Sequence, residues 1–185
     1  MNVYIALLRG INVGGHKKIK MADLKEMLEK LGFSDVVTYI QSGNVVFRDT
    51  SSNIDVLQAK IQTAIKKRFD FDVPILIITY DTLNEILQKN PYRKRLDSGQ
   101  IDDKKMYFML LCSRPDSFAV KELSKASFDP EEFIITKNVI YLFVANGYGK
   151  TKLNNIFFEK KLKCQTTTRN LRTLNKLLEL SFLKN

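Results

Sequence analysis

The sequence is poor in the residues that build metal sites and disulfides, with one histidine and two cysteines among 185 residues. Without further histidines or a Cys-x-x-Cys pair, the usual ligands of a zinc site cannot be assembled. Cys112 lies in an apolar run and Cys164 beside a basic one, which predicts reduced thiols and not a disulfide framework. No apolar run is long enough to span a bilayer, and the first residues lack the features of a signal peptide. We therefore expect a cytoplasmic protein with no membrane association and no cofactor.

Acidic residues are few relative to basic ones. The chain holds 30 Lys and Arg against 20 Asp and Glu, a net charge of +10 at neutral pH. Basic surfaces attract polyanions and release counterions when they bind nucleic acid. Between Lys137 and Arg172, eight basic residues accompany one acid, Glu159, so +7 of the +10 is clustered there. This clustering favours a nucleic acid or another phosphate-bearing partner over an evenly solvated basic surface.

Hydrophobic periodicity predicts an α+β protein of two halves that pack closely together. In residues 1–79, strand-like and helix-like runs follow the order β-α-β-β-α-β, which is the ferredoxin-like arrangement. Residues 80–104 are predicted to be a helix and a linker, because residues 91–103 show no clear periodicity. Residues 105–185 are predicted to form a second α+β half in the order β-α-β-β-α-α, with its last helices over residues 150–162 and 169–182. The second half is expected to echo the topology of the first.

The most informative motif is the glycine-rich loop from Arg9 to Lys20, between the first strand and the first helix. It contains four basic residues, the histidine His16 and no acid. Backbone N–H groups, the positive end of a helix dipole and nearby cations all favour an anion in such a loop. The spacing of Gly10, Gly14 and Gly15 does not match the dinucleotide-binding fingerprint. The alternative interpretation is that these glycines only supply positive φ angles for a tight loop.

Three further motifs carry polar or basic side chains. Residues 42–44, Ser-Gly-Asn, are explained by hairpin chemistry, although their polar groups could also reach the first loop. Residues 146–152 resemble the end of a phosphate-binding loop, but Val144 stands where its first glycine is required. Glycines and lysines at a helix start still favour an anion there, with a simple capped helix as the alternative. Residues 166–168 are all threonine; one of them is predicted to cap the last helix, and Arg169 and Asn170 add donors beyond those a cap requires.

We expect these four loops to supply the ligand contacts, and a single site requires that they share one face of the molecule. The sequence leaves that requirement open. The predicted ligand-binding residues are Arg9, Asn12, Gly14, Gly15, Lys17, Lys18, Ser42, Asn44, Lys150, Lys152, Thr167, Thr168, Arg169 and Asn170.

Three functions are compatible with these features. The leading hypothesis is a protein that binds nucleic acid or a nucleotide. The second is an enzyme for a small phosphorylated or carboxylated metabolite, with His16 as acid or base and Arg169 as anchor; basic neighbours would also lower the thiol pKa of Cys164. The third is a homo-oligomeric scaffold whose basic face is incidental. An RNA-recognition module shares the β-α-β-β-α-β order, but the third predicted strand lacks its basic-glycine-aromatic pattern.

The sequence resembles a bacterial family known as domain of unknown function 1697. The likeness rests on Leu8-Arg9-Gly10-Ile11-Asn12-Val13-Gly14-Gly15, Lys20-Met21-Ala22-Asp23-Leu24, Thr38-Tyr39-Ile40-Gln41-Ser42-Gly43-Asn44-Val45-Val46-Phe47 and Thr167-Thr168-Arg169-Asn170. These blocks lie near both ends of the chain, so the likeness is full-length. It implies a two-part α+β fold with a ferredoxin-like half, and it brings no activity, substrate or catalytic residue. The last block of the family has an aromatic residue where this chain has Leu171, which argues against a stacking role at that position.

Overall fold

The computed structural model describes residues 1–182, and these form two compact units. Unit 1 comprises Met1–Glu85 together with residues 176–182, and unit 2 comprises Ile86–Asn175. Each unit contains a four-stranded sheet and helices, so the predicted α+β class is confirmed. Whether residues 1–79, 80–104 and 105–185 behave as separate domains stays a prediction.

Unit 1 contains an antiparallel sheet whose strand order is β2-β3-β1-β4. The elements follow the predicted β-α-β-β-α-β order, and the chain then continues into a helix that ends in unit 2. Their bounds are β1 (Asn2–Leu8), α1 (Met21–Lys30), β2 (Ser34–Tyr39), β3 (Asn44–Asp49), α2 (Ile54–Phe69), β4 (Ile75–Thr79) and α3 (Tyr80–Gln88).

The core of unit 1 lies between one face of this sheet and the helices α1 and α2. Tyr4, Ala6 and Leu8 point into it from β1, because successive side chains of a strand face opposite sides. The helices contribute apolar residues three or four positions apart, which lie on one helical face: Leu24, Met27 and Leu28 from α1, and Leu57, Ile61 and Ile65 from α2. The residues of β1 on its other face are buried as well. The strand is therefore apolar on both faces, as its sequence predicts.

Unit 2 contains a second antiparallel sheet, with the strand order β6-β7-β5-β8. The last helix begins in unit 2 and ends in unit 1. The elements are α4 (Arg93–Asp97), a 3₁₀ turn (Asp103–Lys105), β5 (Met106–Leu111), α5 (Ser117–Leu123), β6 (Glu132–Ile135), β7 (Val139–Phe143), α6 (Asn155–Leu162), β8 (Thr166–Asn170) and α7 (Leu171–Phe182).

One strand of unit 2 is absent from the sequence-based prediction. Thr166–Asn170 is predicted as a cap and helix start, but it forms β8, paired with β5 from Leu111↔Thr166 to Tyr107↔Asn170. Three successive threonines are β-branched and favour an extended backbone, and here this preference outweighs their capping ability. Helix α7 begins at Leu171, and the cap is Asn170, whose Oδ1 accepts the N–H of Thr173 at 2.8 Å.

Helix α6 also begins later than predicted. It starts at Asn155, and Asn154 caps it by accepting the N–H of Phe157 through Oδ1 at 3.1 Å. Asparagine is a strong N-cap residue, whereas the lysines at 150 and 152 have no side-chain acceptor. The prediction that Lys150 and Lys152 lie at a helix N-terminus is therefore wrong, because both precede α6 in a loop.

The two units repeat one topology. The strand orders correspond, with β5 to β8 in the places of β1 to β4. Two backbone hydrogen bonds recur at matching positions. The N–H of Leu8 donates to the carbonyl of Gly43 at 2.8 Å, and that of Leu111 to Asn138 at 2.9 Å. Likewise Arg9 donates to Pro74, and Cys112 donates to Gln165. The predicted echo is therefore present, and it includes the additional strand β8.

Gly43 generates a prediction about stability. It has a φ of +76°, and a Cβ there would lie 2.7 Å from the Leu8 Cβ and 2.9 Å from the Ile11 Cδ1. We expect Gly43→Ala to lower the free energy of unfolding by about 2–4 kcal/mol, because a left-handed backbone cost adds to overpacking of a buried site. Urea denaturation measures this change.

Gly15→Ala is the matched control for Gly43→Ala. Gly15 has a φ of +78°, and a Cβ added there would have no heavy atom within 4 Å. Only the backbone cost of about 1 kcal/mol is expected. Equal losses in the two variants would show that close packing at Gly43 is unimportant.

Candidate functional site

Three loops meet at one end of unit 1. In its antiparallel sheet, β1 and β2 end where β3 and β4 begin. Residues 9–20, 40–43 and 70–74 therefore follow or precede strand ends on the same side of the sheet. The hydrogen bonds from Leu8 to Gly43 and from Arg9 to Pro74 connect the three segments directly. We call this region the glycine-loop end. The convergence of the first two loops, which the sequence left open, is therefore observed.

Asn12 fastens the glycine-rich loop to the hairpin turn. Its Oδ1 accepts the N–H of Ile19 at 2.8 Å, and its Nδ2 donates to the carbonyls of Ile19 at 2.9 Å and Gln41 at 2.8 Å. Its own N–H donates to the carbonyl of Lys17, and its φ is +55°. The side chain thus shapes the loop, and a direct ligand contact by Asn12 stays a prediction.

The loop presents its glycines and several cations to solvent. Gly14, Gly15, Lys18 and Lys20 are exposed, whereas Arg9 and Lys17 are half-buried. His16 is exposed at the loop tip, where a bridge with Val13 closes a tight turn. Helix α1 begins immediately afterwards, at Met21. Exposed glycines, positive charge and a helix start therefore share one segment.

Segment 70–74 brings carboxylates to the same end. Lys66 contacts Asp70 Oδ1 at 3.0 Å and Asp72 Oδ2 at 3.1 Å, and the Lys17 Nζ donates to the backbone carbonyl of Asp72. The hydrogen bonds to Asp70 and then Asp72 raise the pKa of Lys66. These groups are solvent-exposed, so each pair contributes little stability. They do reduce the positive potential that residues 9–20 alone would produce.

Ser42 and Asn44 serve the hairpin turn. Asn44 is fully buried, and its Nδ2 donates to Ser42 Oγ at 2.9 Å and to the carbonyl of Tyr39 at 3.1 Å. These are contacts of a turn, which was the alternative interpretation of this motif. A ligand contact by Ser42 or Asn44 stays a prediction.

In unit 2, two of the predicted motifs join in one polar network. Thr168 Oγ1 lies 3.1 Å from both the Tyr148 hydroxyl and Asn155 Oδ1, and the Tyr148 hydroxyl donates to Asn155 Oδ1 at 2.8 Å. Asn155 Nδ2 donates to Thr166 Oγ1 at 2.7 Å, and the N–H of Thr166 donates to Glu159 Oε1 at 2.7 Å. The structure therefore links loop 146–152 to strand β8.

Asn155 and Glu159 are not among the predicted site residues. The signal that could have found them is their spacing, since polar residues four positions apart lie on one face of a helix. Both residues face β8 from α6. The prediction placed the helix start at Lys150 and the threonines in a cap, so no strand was available for this face to contact.

Lys150 and Lys152 are exposed, but the threonine between them is not. Thr151 is buried, donates its hydroxyl to Glu131 Oε2 and accepts the N–H of Leu153 at 2.9 Å. Thr151 therefore holds the loop in place, and the side chains of Lys150 and Lys152 on either side of it are exposed to solvent.

Arg169 lies on β8 and is partly enclosed. Its Nη1 donates to Thr167 Oγ1 at 3.1 Å and to the carbonyl of Thr168 at 2.9 Å, and Thr167 is buried. Burial lowers the pKa of Arg169 to about 10, because poorly hydrated surroundings disfavour the charged guanidinium. An anion placed beside such a group would recover part of the lost solvation.

The predicted residues thus fall into two groups. The glycine-loop end of unit 1 holds Arg9, Asn12, Gly14, Gly15, Lys17, Lys18, Ser42 and Asn44, and unit 2 holds Lys150, Lys152, Thr167, Thr168, Arg169 and Asn170. One site built from both groups stays a prediction.

The cysteines differ in environment. Cys164 is buried, and this burial, assisted by Glu159, raises the pKa of its thiol. The lowering expected from its basic neighbours is therefore wrong, because desolvation of the thiolate outweighs them. Cys112 is exposed. Within residues 1–182, no three His, Cys, Asp or Glu side chains are grouped so that they could hold a metal ion. Nor does any helix in this range combine the length and apolarity needed to cross a bilayer.

This difference predicts unequal thiol reactivity. A disulfide reagent such as Ellman's reagent should modify Cys112 rapidly in the native protein and reach Cys164 only after denaturation, because the exposed thiolate is the reactive species. Cys112→Ser should remove the rapid phase, and Cys164→Ser should leave it unchanged. A rapid phase that persists in Cys112→Ser would contradict the buried, high-pKa state of Cys164.

The fold and the family of this chain are both known from other proteins. Among solved structures, the conserved bacterial protein SP0830 from Streptococcus pneumoniae is similar to this chain, with 22% sequence identity and a TM-score of 0.74. The alignment covers 97% of this chain and 98% of that one, and at this identity the likeness shows the fold alone. No curated protein matches the chain. A family model described as a protein of unknown function, DUF1697, matches residues 1–141, which contain the glycine-rich loop and the Ser-Gly-Asn hairpin but not β8. The chain belongs to this DUF1697 family.

Proposed function

We propose that the protein binds a phosphate-bearing ligand, a nucleic acid or a nucleotide, at the glycine-loop end of unit 1. One observation carries this proposal. Residues 9–20 combine three exposed glycines with left-handed backbone and four basic side chains, directly before a helix. Such a segment offers N–H donors, a helix dipole and charge to the same anion.

The backbone of the loop supports anion binding. Five of its residues have positive φ angles: Gly10 (71°), Asn12 (55°), Gly14 (57°), Gly15 (78°) and Lys17 (45°). Left-handed residues among right-handed ones turn neighbouring N–H groups toward a common point, which forms a concave anion site. Because the Asn12 amide already holds this conformation, a ligand would bind without the full cost of ordering the loop.

The charges favour an extended polyanion. Lys18 and Lys20 are exposed, so they can meet phosphates, while Lys17 already donates to the segment that carries Asp72. A single exposed pair at contact distance is worth only about 1 kcal/mol in water. Affinity through such groups therefore requires several phosphates, which a nucleic acid supplies and a mononucleotide does not.

Binding to labelled single-stranded RNA and duplex DNA tests the proposal. Fluorescence anisotropy across a salt series should show affinity that falls steeply as salt rises. Lys18→Glu should weaken binding about tenfold at low salt and reduce the salt slope by about 1, because one phosphate contact is lost. Lys121→Glu, the same charge change at an exposed position of α5, is the control and should have a much smaller effect.

The other outcomes discriminate the alternatives. An absence of binding at low salt would overturn the proposal. Equal losses in both variants would place the contact elsewhere on the basic surface. Competition by free nucleotide would favour a discrete pocket and support the enzyme hypothesis, in which case His16→Ala should abolish turnover and leave binding intact. A stable oligomer without any ligand response would favour the scaffold.

A further inference from the structure

A cavity of about 280 Å³ lies against β6 in unit 2, and the proposed function does not use it. The cavity is lined by Tyr92, by the segment that follows α5, including Phe128, and by Glu131 together with the β6 residues Glu132, Phe133 and Ile134. Consecutive residues of a strand point to opposite faces of its sheet. A cavity that touches all three β6 residues therefore runs along the edge of the strand.

Strand β6 stands at the end of its sheet and pairs only with β7 among the described strands. The N–H of Thr136 donates to the carbonyl of Val139 at 2.9 Å, which fixes the pairing pattern. Antiparallel pairs alternate between hydrogen-bonded and non-bonded. With Ile135 opposite Ile140 and Phe133 opposite Leu142, the N–H and C=O groups of Ile134 face β7. Those of Phe133 and Ile135 consequently face the open edge.

The chain already places a strand-like partner at the beginning of this edge. The N–H of Glu131 donates to the carbonyl of Phe128 at 2.9 Å, and the two residues form an isolated β-bridge. Among residues 1–182, the edge is thus covered at Glu131 and carries no paired strand from Phe133 onward. An incoming strand would pair with β6 on the same side on which Phe128 pairs with Glu131.

The charge along this edge is opposite to that of the whole protein. Residues 127–136 contain three carboxylates, Asp129, Glu131 and Glu132, and no basic residue, in a chain of net charge +10. Glu132 is paired with Arg95 at 2.8 and 2.9 Å, whereas Glu131 accepts the neutral hydroxyl of Thr151. The negative charge of Glu131 is therefore not cancelled by that contact.

Two aromatic residues line the same cavity as this carboxylate. Phe128 and Phe133 have ring centroids 5.7 Å apart, and their rings also contact Phe157 and Phe158 of α6. Rings and a carboxylate together favour an ammonium or guanidinium group, through cation–π attraction and charge-assisted hydrogen bonding. The cavity is slightly smaller than typical sites for whole small molecules, at about 300 Å³ or more. It suits one long side chain.

We infer that β6 is a docking edge for an extended basic peptide segment of another protein. The segment adds to the sheet as a strand beside β6, bonded to the main chain of Phe133 and Ile135. It places a lysine or arginine side chain in the cavity next to Glu131. Main-chain bonds provide affinity in such strand addition, and the side-chain pocket provides specificity.

Two synthetic peptides test this inference, one of alternating valine and lysine and one of alternating valine and glutamate. The lysine peptide should occupy the β6 edge and the glutamate peptide should not, whatever either peptide binds elsewhere on the basic surface. Amide hydrogen exchange followed by NMR should slow at least tenfold at Phe133 and Ile135 on saturation. Ile134, whose N–H already faces β7, is the internal control and should not change.

A charge variant tests the side-chain pocket separately. Glu131→Gln keeps an oxygen that can accept the Thr151 hydroxyl but removes the charge, and it should weaken lysine-peptide binding at least fivefold. Glu29→Gln on the exposed surface of α1 removes the same charge elsewhere and should leave binding unchanged.

Three results would overturn the inference. They are equal protection of Phe133 and Ile135 by the two peptides, binding of the lysine peptide without protection of these amides, and their protection by self-association without peptide, which would make a second copy of the chain the occupant. None of them depends on whether the glycine-loop end binds phosphate.

Discussion

The side-chain amide of Asn12 is the constraint on which the glycine-loop end depends. It bonds to Ile19, just before α1, and to Gln41 in the hairpin turn. The loop is thereby held against both the start of α1 and the hairpin. The loop contains several left-handed residues, which an untethered chain would populate only in part. The Asn12 hydrogen bonds hold the ends of the loop. The loop tip can therefore keep its left-handed residues and remain exposed to solvent. The glycines and lysines at the tip are thereby displayed by a scaffold rather than by a free segment.

Much of the fold follows from apolar patterning, and the exceptions have definite causes. Strand β1 and helices α1 and α2 appear where periodicity places them, because their burial depends on local spacing. Strand β8 was missed because a threonine serves equally well as cap and as strand residue. Whether residues 166–170 form a strand or a helix cap depends on pairing with β5, which lies more than fifty residues earlier in the chain. No local pattern contains that information.

The candidate site was predictable in position and only partly in chemistry. Sequence located the glycine-rich loop and suggested that residues 42–44 approach it, and antiparallel pairing explains why they meet. The sequence did not show that Asp70 and Asp72 lie at the glycine-loop end, because they are at least fifty residues beyond the glycine-rich loop. The sequence also predicted a lowered thiol pKa for Cys164, because neighbouring charges are visible in a sequence. The burial that raises this pKa is not visible there. Interactions that need the tertiary fold were therefore the ones that escaped prediction.

The path of α7 has a consequence for how the chain becomes complete. The helix starts in unit 2 and ends in unit 1, where Phe182 lies against Tyr80 with ring centroids 6.4 Å apart. On the ribosome, every residue of unit 2 emerges before this last segment of unit 1. Unit 1, although most of it is synthesised first, therefore acquires the last turns of α7 only after the whole of unit 2 has been synthesised. A nascent chain that stalls just after Asn175 consequently holds every residue of unit 2 and an incomplete unit 1.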